Sequence, residues 1–229
     1  MAKKLFSIIF LITLAGLPAS SFAQTASSPV ILLTWSSNTY VPPEFDGKVM
    51  PTANSTISAS AELIDNGKII DVSRQNIYWY QDNNYIDGGI GKQSVSFRAP
   101  EFSGGSINLR VEFPDYSKGG QLKTIVIRIA KPEVIIESPL PGAKFSSSPL
   151  TLKAQPYFFN VNNISGLTFS WNVNGQFPGG AENPQLLNIK FDQTLQPQST
   201  MAVFLSVQNA NKGYESETAS KNITLTYSP

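Results

Sequence analysis

Apolar and polar residues alternate along many short runs of this chain, and this period of two is typical of β-strands with one buried face. In residues 57–63, for example, every second residue is apolar and the residues between them are Ser58, Ser60 and Glu62. Runs of this kind, or short continuous apolar runs, predict strands at residues 30–35, 57–63, 77–80, 95–97, 107–113, 122–129, 134–136, 150–159, 167–173, 186–189, 201–207 and 222–227. No segment of useful length has the period of a helix. Many short strands separated by Gly, Pro and Asn predict an all-β sandwich fold.

The alternating runs recur at a constant spacing. Trp79 and Trp171 lie 92 residues apart. At the same spacing Ile77-Tyr78-Trp79-Tyr80 matches Phe169-Ser170-Trp171-Asn172, Ser94-Val95-Ser96-Phe97 matches Leu186-Leu187-Asn188-Ile189, and Leu109, Val111 and Phe113 match Met201, Val203 and Leu205. Three runs in one register predict two copies of one β-sandwich domain. We expect both Trp side chains to lie in the domain cores.

Turn and linker residues divide the chain into two such domains, at residues 28–130 and 132–229. Asp65-Asn66-Gly67-Lys68 and the Asp-Asn-Asn of residues 82–84 predict tight turns, because Asn and Gly tolerate positive φ. Residues 40–50, which include two consecutive prolines, are expected to be irregular. The join, Ala130-Lys131-Pro132-Glu133, is too short to act as a flexible linker, so it predicts a stiff end-to-end pair.

The first 23 residues have the pattern of an export signal. Lys3 and Lys4 precede an apolar run at residues 5–17, and Ser21-Phe22-Ala23 has the small-x-small pattern of a cleavage site. The run is shorter than the roughly 20 residues that span a membrane. We therefore expect an exported protein that is cleaved after Ala23 and is extracellular, on the cell surface or periplasmic. A segment left uncleaved would instead anchor the chain to the membrane.

The composition narrows the range of functions. Removal of Lys3 and Lys4 would change the formal net charge from +1 to −1, and a nearly neutral chain has no basic surface for nucleic acid. The chain contains no His and no Cys, so imidazole acid–base chemistry and Ser-His-Asp triads are unavailable. It has no phosphate-binding loop and no Gly-x-Ser-x-Gly motif. The sequence therefore predicts a non-catalytic protein without a cofactor or a metal.

Two segments resemble a known family. Residues 136–145, Ile-Glu-Ser-Pro-Leu-Pro-Gly-Ala-Lys-Phe, are similar to the opening of bacterial immunoglobulin-like domains, which often read Ile-x-Ser-Pro-x-x-Gly-x-x-Phe. Trp171-Asn172-Val173-Asn174-Gly175 is similar to the central Trp strand of those domains and its hairpin turn, and Trp79-Tyr80-Gln81-Asp82-Asn83 resembles it less closely. The chain lacks the Trp-Asp-Phe-Gly-Asp-Gly motif of polycystic-kidney-disease-type domains.

After its export segment, the whole chain resembles small exported bacterial proteins that have two immunoglobulin-like domains and no assigned role. The resemblance implies tandem immunoglobulin-like β-sandwiches at the cell surface. It also implies a part in adhesion, in spacing or in assembly, because such domains serve all three purposes and the fold does not choose among them. The absence of Cys excludes the disulfide-bridged eukaryotic immunoglobulin pattern.

The strongest candidates for a binding surface flank Trp79. If Trp79 faces the core, the alternation of a strand turns Tyr78 and Tyr80 outward. The residues at the equivalent positions of the second domain are Ser170 and Asn172, which are small and polar. The two predicted domains therefore differ in the residues that they present beside their core Trp.

Two arginines are expected on the same outer face as these tyrosines. Arg110 and Arg128 face outward on strands that we expect to lie beside the Trp79 strand. Tyr and Arg are enriched at binding hot spots. Tyr78, Tyr80, Arg110 and Arg128 are therefore candidates for contact with a protein or glycan at the cell surface. Ordinary cross-strand pairing with cation–π contacts is the alternative interpretation.

Two further patterns leave other functions open. Turn residues with oxygen ligands suitable for calcium occur at Asp65, Asp71, Asp82, Asn83, Asn84 and Asp87. Their spacing matches no EF-hand loop and such residues are usual in turns, so we predict no metal site. Residues 122–129 form a long β-branched run that could accept a strand from a partner if it lay at a sheet edge, although Lys123 and Arg128 are also typical of a protected edge. This run favours a structural subunit or spacer of a cell-surface assembly as the alternative to a binding or adhesion module.

Overall fold

The structure, a computed structural model, describes residues 28–117, 119–139, 141–146, 148–179, 182–191, 195–211 and 217–228. Within these ranges the regular elements are strands, apart from two 3₁₀ turns at Pro141–Ala143 and Ile164–Gly166. The first eight strands are β1 Val30–Ser37, β2 Thr56–Asp65, β3 Lys68–Ile69, β4 Asn76–Gln81, β5 Asn84–Ile90, β6 Ser94–Arg98, β7 Ser106–Phe113 and β8 Gln121–Arg128. The others are β9 Glu133–Glu137, β10 Lys144–Phe145, β11 Leu150–Tyr157, β12 Leu167–Val173, β13 Leu186–Ile189, β14 Thr200–Asn209 and β15 Thr218–Tyr227. The fold is all-β, as the alternation predicts.

Strands β1–β8 form two sheets that face each other, here called the first sandwich. In one sheet β2 pairs with β1 along one edge and with β3 and β6 along the other. The second sheet has the antiparallel order β5-β4-β7-β8. The inner faces of the two sheets share one core, in which Leu63, Trp79 and Phe113 are fully buried.

Strands β9–β15 form the second sandwich. One sheet has the order β13-β11-β9 and the other the order β10-β15-β14-β12, with β10 parallel to β15. Its core includes Leu152, Trp171 and Leu205. In both sandwiches the Trp strand lies in the sheet opposite the first long strands. The chain crosses between the sheets in the same order in both, except that the short strand β10, between β9 and β11, joins the opposite sheet. The chain is thus folded as two immunoglobulin-like β-sandwiches in tandem.

The two tryptophans occupy equivalent places in the two cores. The indole Nε1–H of Trp79 donates to the carbonyl oxygen of Lys92 at 2.8 Å, and that of Trp171 donates to the carbonyl oxygen of Pro184 at 3.0 Å. Donor and acceptor therefore both recur after 92 residues. The side chains are 0% and 7% exposed. The prediction that both Trp residues lie in the core is confirmed.

One of the three matched runs is displaced in the structure. Trp79 lies opposite Val111, whereas Trp171 lies opposite Leu205. The equivalent of Val111 is therefore Leu205, and the predicted match between Val111 and Val203 is wrong by two residues. A shift of two residues keeps the same side chains facing the core, so the alternation of the sequence does not reveal it.

Both predicted tight turns are confirmed. Asn66 and Gly67 join β2 to β3 with φ values of 48° and 72°. Asp82 and Asn83 join β4 to β5 with φ values of 47° and 69°. Positive φ at both central residues gives a turn whose twist matches that of the two strands, which explains the choice of Asn, Asp and Gly.

A loop between β1 and β2 packs against the second sandwich. The N–H of Tyr40 donates to the carbonyl of Phe159, and the N–H of Phe158 donates to the carbonyl of Tyr40, each at 2.7 Å. The ring of Phe45 meets those of Tyr157 and Phe158 at centroid distances of 5.7 and 5.8 Å. The loop has no strand of its own, as predicted, but its contacts with the other half of the chain are not evident from its sequence. They link the two sandwiches at a place other than the join.

The predicted export segment, residues 1–23, lies outside the described residues. In the part of the chain that the structure describes, no helix has the length and apolarity needed to cross a membrane.

Candidate functional site

The residues around Trp79 are positioned by β4, an inner strand of the four-stranded sheet. Ile77 and Trp79 are fully buried in the core. Because successive residues of a strand point to opposite faces, Tyr78 and Tyr80 lie on the outer face of this sheet. This is the orientation that the alternation predicts. Both tyrosines are half-buried, because neighbouring side chains cover part of each ring.

The strand register places further side chains beside these tyrosines. On one side of β4, Arg110 of β7 lies opposite Tyr80 and Glu112 lies opposite Tyr78. On the other side, Tyr85 of β5 lies opposite Tyr80. We call the group formed by Tyr78, Tyr80, Tyr85, Arg110 and Glu112 the Tyr–Arg face.

Arg110 lies on β7, at one side of the Tyr–Arg face, and makes three contacts there. Its guanidinium carbon is 4.4 Å from the centroid of the Tyr80 ring, which is a cation–π contact. Its Nη1 donates to Oδ1 of Asn83, in the turn between β4 and β5, at 2.9 Å. Its Nε is 2.9 Å from Oε1 of Glu112, but the N–H does not point at that oxygen, so this contact is an ion pair without a hydrogen bond. Together the three contacts hold the guanidinium against the Tyr80 ring.

Tyr85 extends the face toward solvent. Its ring makes edge-to-face contacts with Tyr78 and Tyr80 at centroid distances of 6.3 and 5.9 Å. The Tyr78 ring in turn lies against Gly88, where an added Cβ atom would be 2.6 Å from Cδ1 of Tyr78. Tyr85 is 58% exposed. It is therefore the ring of the face that is most accessible to a ligand.

The charges within the face are balanced. Arg110 and Glu112 form a pair, so the face has no net charge of its own. Burial and the Glu112 carboxylate raise the pKa of Tyr80, and the Arg110 guanidinium opposes part of that effect. Tyr80 therefore remains a neutral phenol at physiological pH. The face offers ring surface and hydroxyl groups, which are suited to stacking and hydrogen bonding.

Arg128 lies apart from this group. It is opposite Ser106, which is four residues along β7 from Arg110 and hence about 14 Å away at about 3.4 Å per residue. Of the four predicted site residues, the structure brings Tyr78, Tyr80 and Arg110 together. Arg128 is exposed on the same outer face but outside the cluster.

Two members of the Tyr–Arg face, Tyr85 and Glu112, are absent from the predicted site, and so is Asn83, the turn residue that binds Arg110. A two-residue turn at Asp82 and Asn83 makes Tyr85 the cross-strand partner of Tyr80, so the turn sequence contains a signal for this pair. The pairing of Glu112 on β7 with Tyr78 on β4 depends on the length and path of the chain that connects these two strands. No local pattern in the sequence specifies it.

The second sandwich presents a different surface on the equivalent sheet. On its outer face, cross-strand neighbours on β12, β14 and β15 form two rows. One row is Asn172, Phe204 and Asn222, and the next is Ser170, Ser206 and Ser220. Phe204 is 41% exposed and its neighbours in these rows are small and polar. The two sandwiches therefore share a fold and differ in the chemistry of this face.

The carboxylates considered as calcium ligands already have partners in the first sandwich. These partners are Asn108 for Asp82, Lys92 for Asp87, Tyr116 for Asp65 and Ser73 for Asp71. Lys92 and the N–H of Gly88 hold the pKa of Asp87 below its ordinary value, as hydrogen bonds to a carboxylate do. Across the described ranges, no three side chains of the His, Cys, Asp or Glu type come together as metal ligands.

Comparison with known proteins identifies no family, since no family model and no curated protein matches the chain. Several solved structures are similar to it. The three N-terminal domains of Hoc, the highly immunogenic outer capsid protein of bacteriophage RB49, are 12% identical with a TM-score of 0.41, over 87% of this chain and 59% of that one. Fibronectin(III)-like modules of Clostridium thermocellum CbhA are 11% identical with a TM-score of 0.28, over 86% and 93%.

A C-terminal 282-residue fragment of intimin, in complex with the intimin-binding domain of the translocated intimin receptor, is also similar to this chain. It is 11% identical with a TM-score of 0.31, over 88% of this chain and 64% of the fragment. Identities and TM-scores at this level carry no information about ligand or activity.

Proposed function

We propose that this protein is a non-catalytic, extracytoplasmic binding or adhesion module, and that the Tyr–Arg face of the first sandwich is its binding surface. The difference between the two sandwiches supports this proposal. The fold does not require tyrosines at these positions, because the second sandwich forms the same sheet with Ser170 and Asn172 there. Export is proposed from the pattern of residues 1–23.

The proposed ligand is a protein or a glycan at a cell surface. The rings of Tyr80 and Tyr85 meet edge to face, and the exposed ring of Tyr85 gives a sugar ring or an extended peptide a surface on which to stack. Tyr and Arg also dominate the few residues that supply most of the affinity in protein interfaces. The Arg110 charge is paired with Glu112, which disfavours nucleic acid and other phosphate ligands.

A screen of glycan and peptide arrays with purified residues 24–229, followed by calorimetry, tests this proposal. Tyr85→Ser should weaken a detected interaction at least roughly tenfold, which corresponds to about 1.4 kcal/mol. The exposure of Tyr85 means that this change should leave folding intact. Phe177→Ser is the matched control, because Phe177 lies 92 residues after Tyr85, follows the equivalent turn and is 74% exposed.

The two variants separate the possible outcomes of the screen. If Phe177→Ser binds like the parent protein and Tyr85→Ser does not, the ligand contacts the Tyr–Arg face. If Tyr85→Ser binds like the parent protein, the Tyr–Arg face is not the binding surface and the proposal fails.

A second candidate function is a structural subunit or spacer of a cell-surface assembly. The contacts of Tyr40 and Phe45 with the second sandwich favour it, because they add a second link between the two sandwiches. Strand β8 also lies at the end of its sheet, so its outer edge is free to pair within the described part of the chain.

Light scattering over a wide range of concentration distinguishes the two candidates. A monomer at every concentration that binds an array ligand supports the binding module. Polymers that grow with concentration and are lost when Val126, which is 61% exposed on β8, is changed to Lys would support the assembly function instead.

A further inference from the structure

Phe158, the residue that follows β11, has a main-chain conformation that is unusual for an aromatic residue. Its φ of 59° lies in the left-handed region. In this region the Cβ atom of an L-residue comes close to a main-chain carbonyl oxygen, so glycine, and less often asparagine or aspartate, normally occupies it. A bulky residue adopts it at a cost in stability and only where the surrounding structure imposes it. Contacts around Phe158 must therefore hold it there.

Main-chain hydrogen bonds with Tyr40 of the first sandwich supply such a constraint. The carbonyl of Tyr40 accepts from the N–H of Phe158, and the N–H of Tyr40 donates to the carbonyl of Phe159, each at 2.7 Å. Tyr40 therefore faces two consecutive residues, Phe158 and Phe159, which is the arrangement of a β-bulge. We call these two hydrogen bonds the Tyr40 bridge.

One class of bulge requires the φ value that Phe158 has. In a G1 bulge the first of the two consecutive residues is left-handed, and that residue is normally glycine. Phe158 occupies this first position. A bulge is formed only while a partner chain lies opposite it. The left-handed φ of Phe158 and the Tyr40 bridge therefore belong to one arrangement.

The equivalent residue of the first sandwich is not left-handed. In each sandwich the N–H of one alanine, Ala61 in β2 or Ala154 in β11, donates to the carbonyl of the residue that follows the acceptor of the core Trp. These alanines are therefore equivalent, and four residues further along the chain Asp65 is the equivalent of Phe158. Asp65 is the last residue of β2, pairs with Lys68 of β3 and is not among the residues with positive φ. The fold itself thus does not require a left-handed residue at this position.

Each side of the Tyr40 bridge is fixed to its own sandwich. Two residues before Tyr40, the N–H of Asn38 donates to the carbonyl of Thr56 in β2, and the N–H of Thr56 donates to Oδ1 of Asn38. On the other side, Phe159 is fully buried in the core of the second sandwich. Movement of one sandwich relative to the other therefore acts directly on Phe158, which lies between these fixed points.

Side chains oppose the strain at Phe158. The ring of Tyr40 packs against the core of the second sandwich, and the ring of Phe45 meets that of Phe158 at a centroid distance of 5.8 Å. These contacts stabilise the bridged arrangement. The strain at Phe158 acts in the opposite direction and lowers the free energy that is needed to break the bridge.

We propose that the Tyr40 bridge is a strained latch between the two sandwiches. In the closed state the bridge holds Phe158 in the left-handed conformation and the sandwiches in one orientation. In the open state the bridge is broken, Phe158 returns to an extended conformation and the sandwiches move independently about residues 130–133. The closed state predominates and the open state is a minor one. Opening changes the orientation of the Tyr–Arg face relative to the second sandwich, but the latch does not depend on what that face binds.

Amide hydrogen exchange of residues 24–229 measures opening, because the bridge protects the N–H of Tyr40. Phe158→Gly and Phe158→Ala both remove the ring, but only Gly adopts the left-handed conformation without strain. The Tyr40 amide should therefore exchange about five- to thirtyfold faster in Phe158→Ala than in Phe158→Gly. Equal exchange rates in the two variants would overturn the proposal.

A combination with Tyr40→Pro tests whether the strain belongs to the latch or to the second sandwich alone. Proline has no N–H, so this change removes one of the two hydrogen bonds of the bridge. Without Tyr40→Pro, the second sandwich should have a folding equilibrium constant at least about fivefold larger in Phe158→Gly than in Phe158→Ala. With Tyr40→Pro this advantage of Gly should disappear, because an extended residue 158 costs Ala nothing. Urea unfolding followed by the amide signals of the second sandwich measures these constants.

The position of Asp65 provides the matched control, because the equivalent residue there is not left-handed. Asp65→Ala should leave the first sandwich at least as stable as Asp65→Gly does. An advantage of Gly as large at Asp65 as at Phe158 would contradict the attribution to the left-handed φ.

The remaining outcomes also decide the proposal. An advantage of Phe158→Gly that persists with Tyr40→Pro would mean that the second sandwich imposes the left-handed φ by itself, and the latch would be overturned. Equal stability of Phe158→Gly and Phe158→Ala without Tyr40→Pro would mean that Phe158 is not strained, with the same consequence. If Tyr40→Pro does not fold, the exchange of the Tyr40 amide in the two Phe158 variants still decides, because it needs no change at Tyr40.

Discussion

At the scale of single residues, the two core tryptophans combine packing with a hydrogen bond to the main chain. Each indole N–H donates to a carbonyl 13 residues further along the chain. These hydrogen bonds are partly buried, and a carbonyl shielded from water that loses its donor costs free energy in addition to the lost packing. The hydrogen bond of Trp79 therefore fixes the main chain at Lys92 to the core of the first sandwich, and that of Trp171 fixes the main chain at Pro184 to the core of the second.

We predict that Trp79→Phe lowers the free energy of unfolding of the first sandwich by about 1–3 kcal/mol, because it leaves the Lys92 carbonyl unpaired and opens a cavity. Urea unfolding followed by circular dichroism measures this loss. Trp35→Phe is the control: Trp35 is only partly buried, with Lys48 over its ring, and should lose less. Equal losses for the two variants would contradict the role of the indole hydrogen bond.

Glu217 is a buried carboxylate in the second sandwich. It is 8% exposed, and its oxygens accept from the N–H of Asn160 at 2.8 Å and from Nδ2 of Asn209 at 2.6 Å. Burial raises the pKa of Glu217 above its ordinary value of 4.5, and the two hydrogen bonds oppose part of that rise. The folded protein therefore holds this proton more tightly than the unfolded chain does.

This difference predicts how stability depends on pH. The contribution of Glu217 to the free energy of unfolding should be largest below pH 4.5, should fall as the pH rises through the folded-state pKa, and should then be constant. Glu217→Gln lacks this titration. The parent-minus-variant difference in unfolding free energy, measured by urea unfolding at several pH values, should therefore fall with increasing pH. A difference that rises with pH would mean that the hydrogen bonds outweigh burial.

The orientation of Tyr78 and Tyr80 was predictable because it depends only on the alternation around a buried Trp79. The contacts of Arg110 were not predictable. They depend on which residue of β7 lies opposite Tyr80, and that register is set by the connections between the strands and by packing in the core. For the same reason Arg128 has the predicted outward orientation and lies too far along the sheet to join the cluster.

At the scale of elements, the two sandwiches differ at β5, because residues 177–179, the described equivalents of residues 85–87, form no strand. Strand β5 is not among the predicted ones, because Gly88 and Gly89 and a bulge at Ile86 interrupt its alternation. Yet Gly88 is what allows the Tyr78 ring to lie across the strand. Gly88 thus breaks the alternation by which β5 could be predicted from the sequence, and the packing of Tyr78 on the outer face of the sheet requires it.

We predict that Gly88→Ala destabilises the first sandwich by about 1–3 kcal/mol, because side chains forced into a packed site displace their neighbours. The new Cβ atom would be 2.6 Å from Cδ1 of Tyr78 and 2.7 Å from the carbonyl oxygen of Ile77. Thermal unfolding measures the loss. Gly179→Ala is the control, since a Cβ atom there meets nothing within 4 Å and stability should change little. An unchanged melting temperature for Gly88→Ala would contradict the close approach of Tyr78.

At the scale of the whole molecule, the joint between the two sandwiches consists of the short connecting segment at residues 130–133 and a second set of contacts. The sequence predicts a stiff pair from the length of that join alone. The loop that carries Tyr40 and Phe45 adds two hydrogen bonds and two ring contacts with the second sandwich. Such long-range contacts lie beyond sequence patterns because they join segments more than 100 residues apart in the chain.

We predict that Phe45→Ala loosens the joint without unfolding either sandwich, because it removes two edge-to-face contacts of about 0.5–1.5 kcal/mol each. Residual dipolar couplings should then require separate alignment tensors for the two sandwiches, whereas the parent protein should fit one. Phe102→Ala, at an exposed ring of the first sandwich, should behave like the parent. Separate tensors in the parent protein itself would mean that the contacts do not restrain the joint.

The assignment of binding to the first sandwich is tested most directly by mapping a bound ligand. Amide chemical shifts of isotope-labelled residues 24–229 should be recorded during titration with a ligand found on the arrays. We predict that the perturbed amides lie on β4, β5 and β7, centred on Tyr80 and Arg110, and that the outer face of β12, β14 and β15 is unaffected. Perturbations centred on the second sandwich, with the amides around Tyr80 unchanged, would contradict the account.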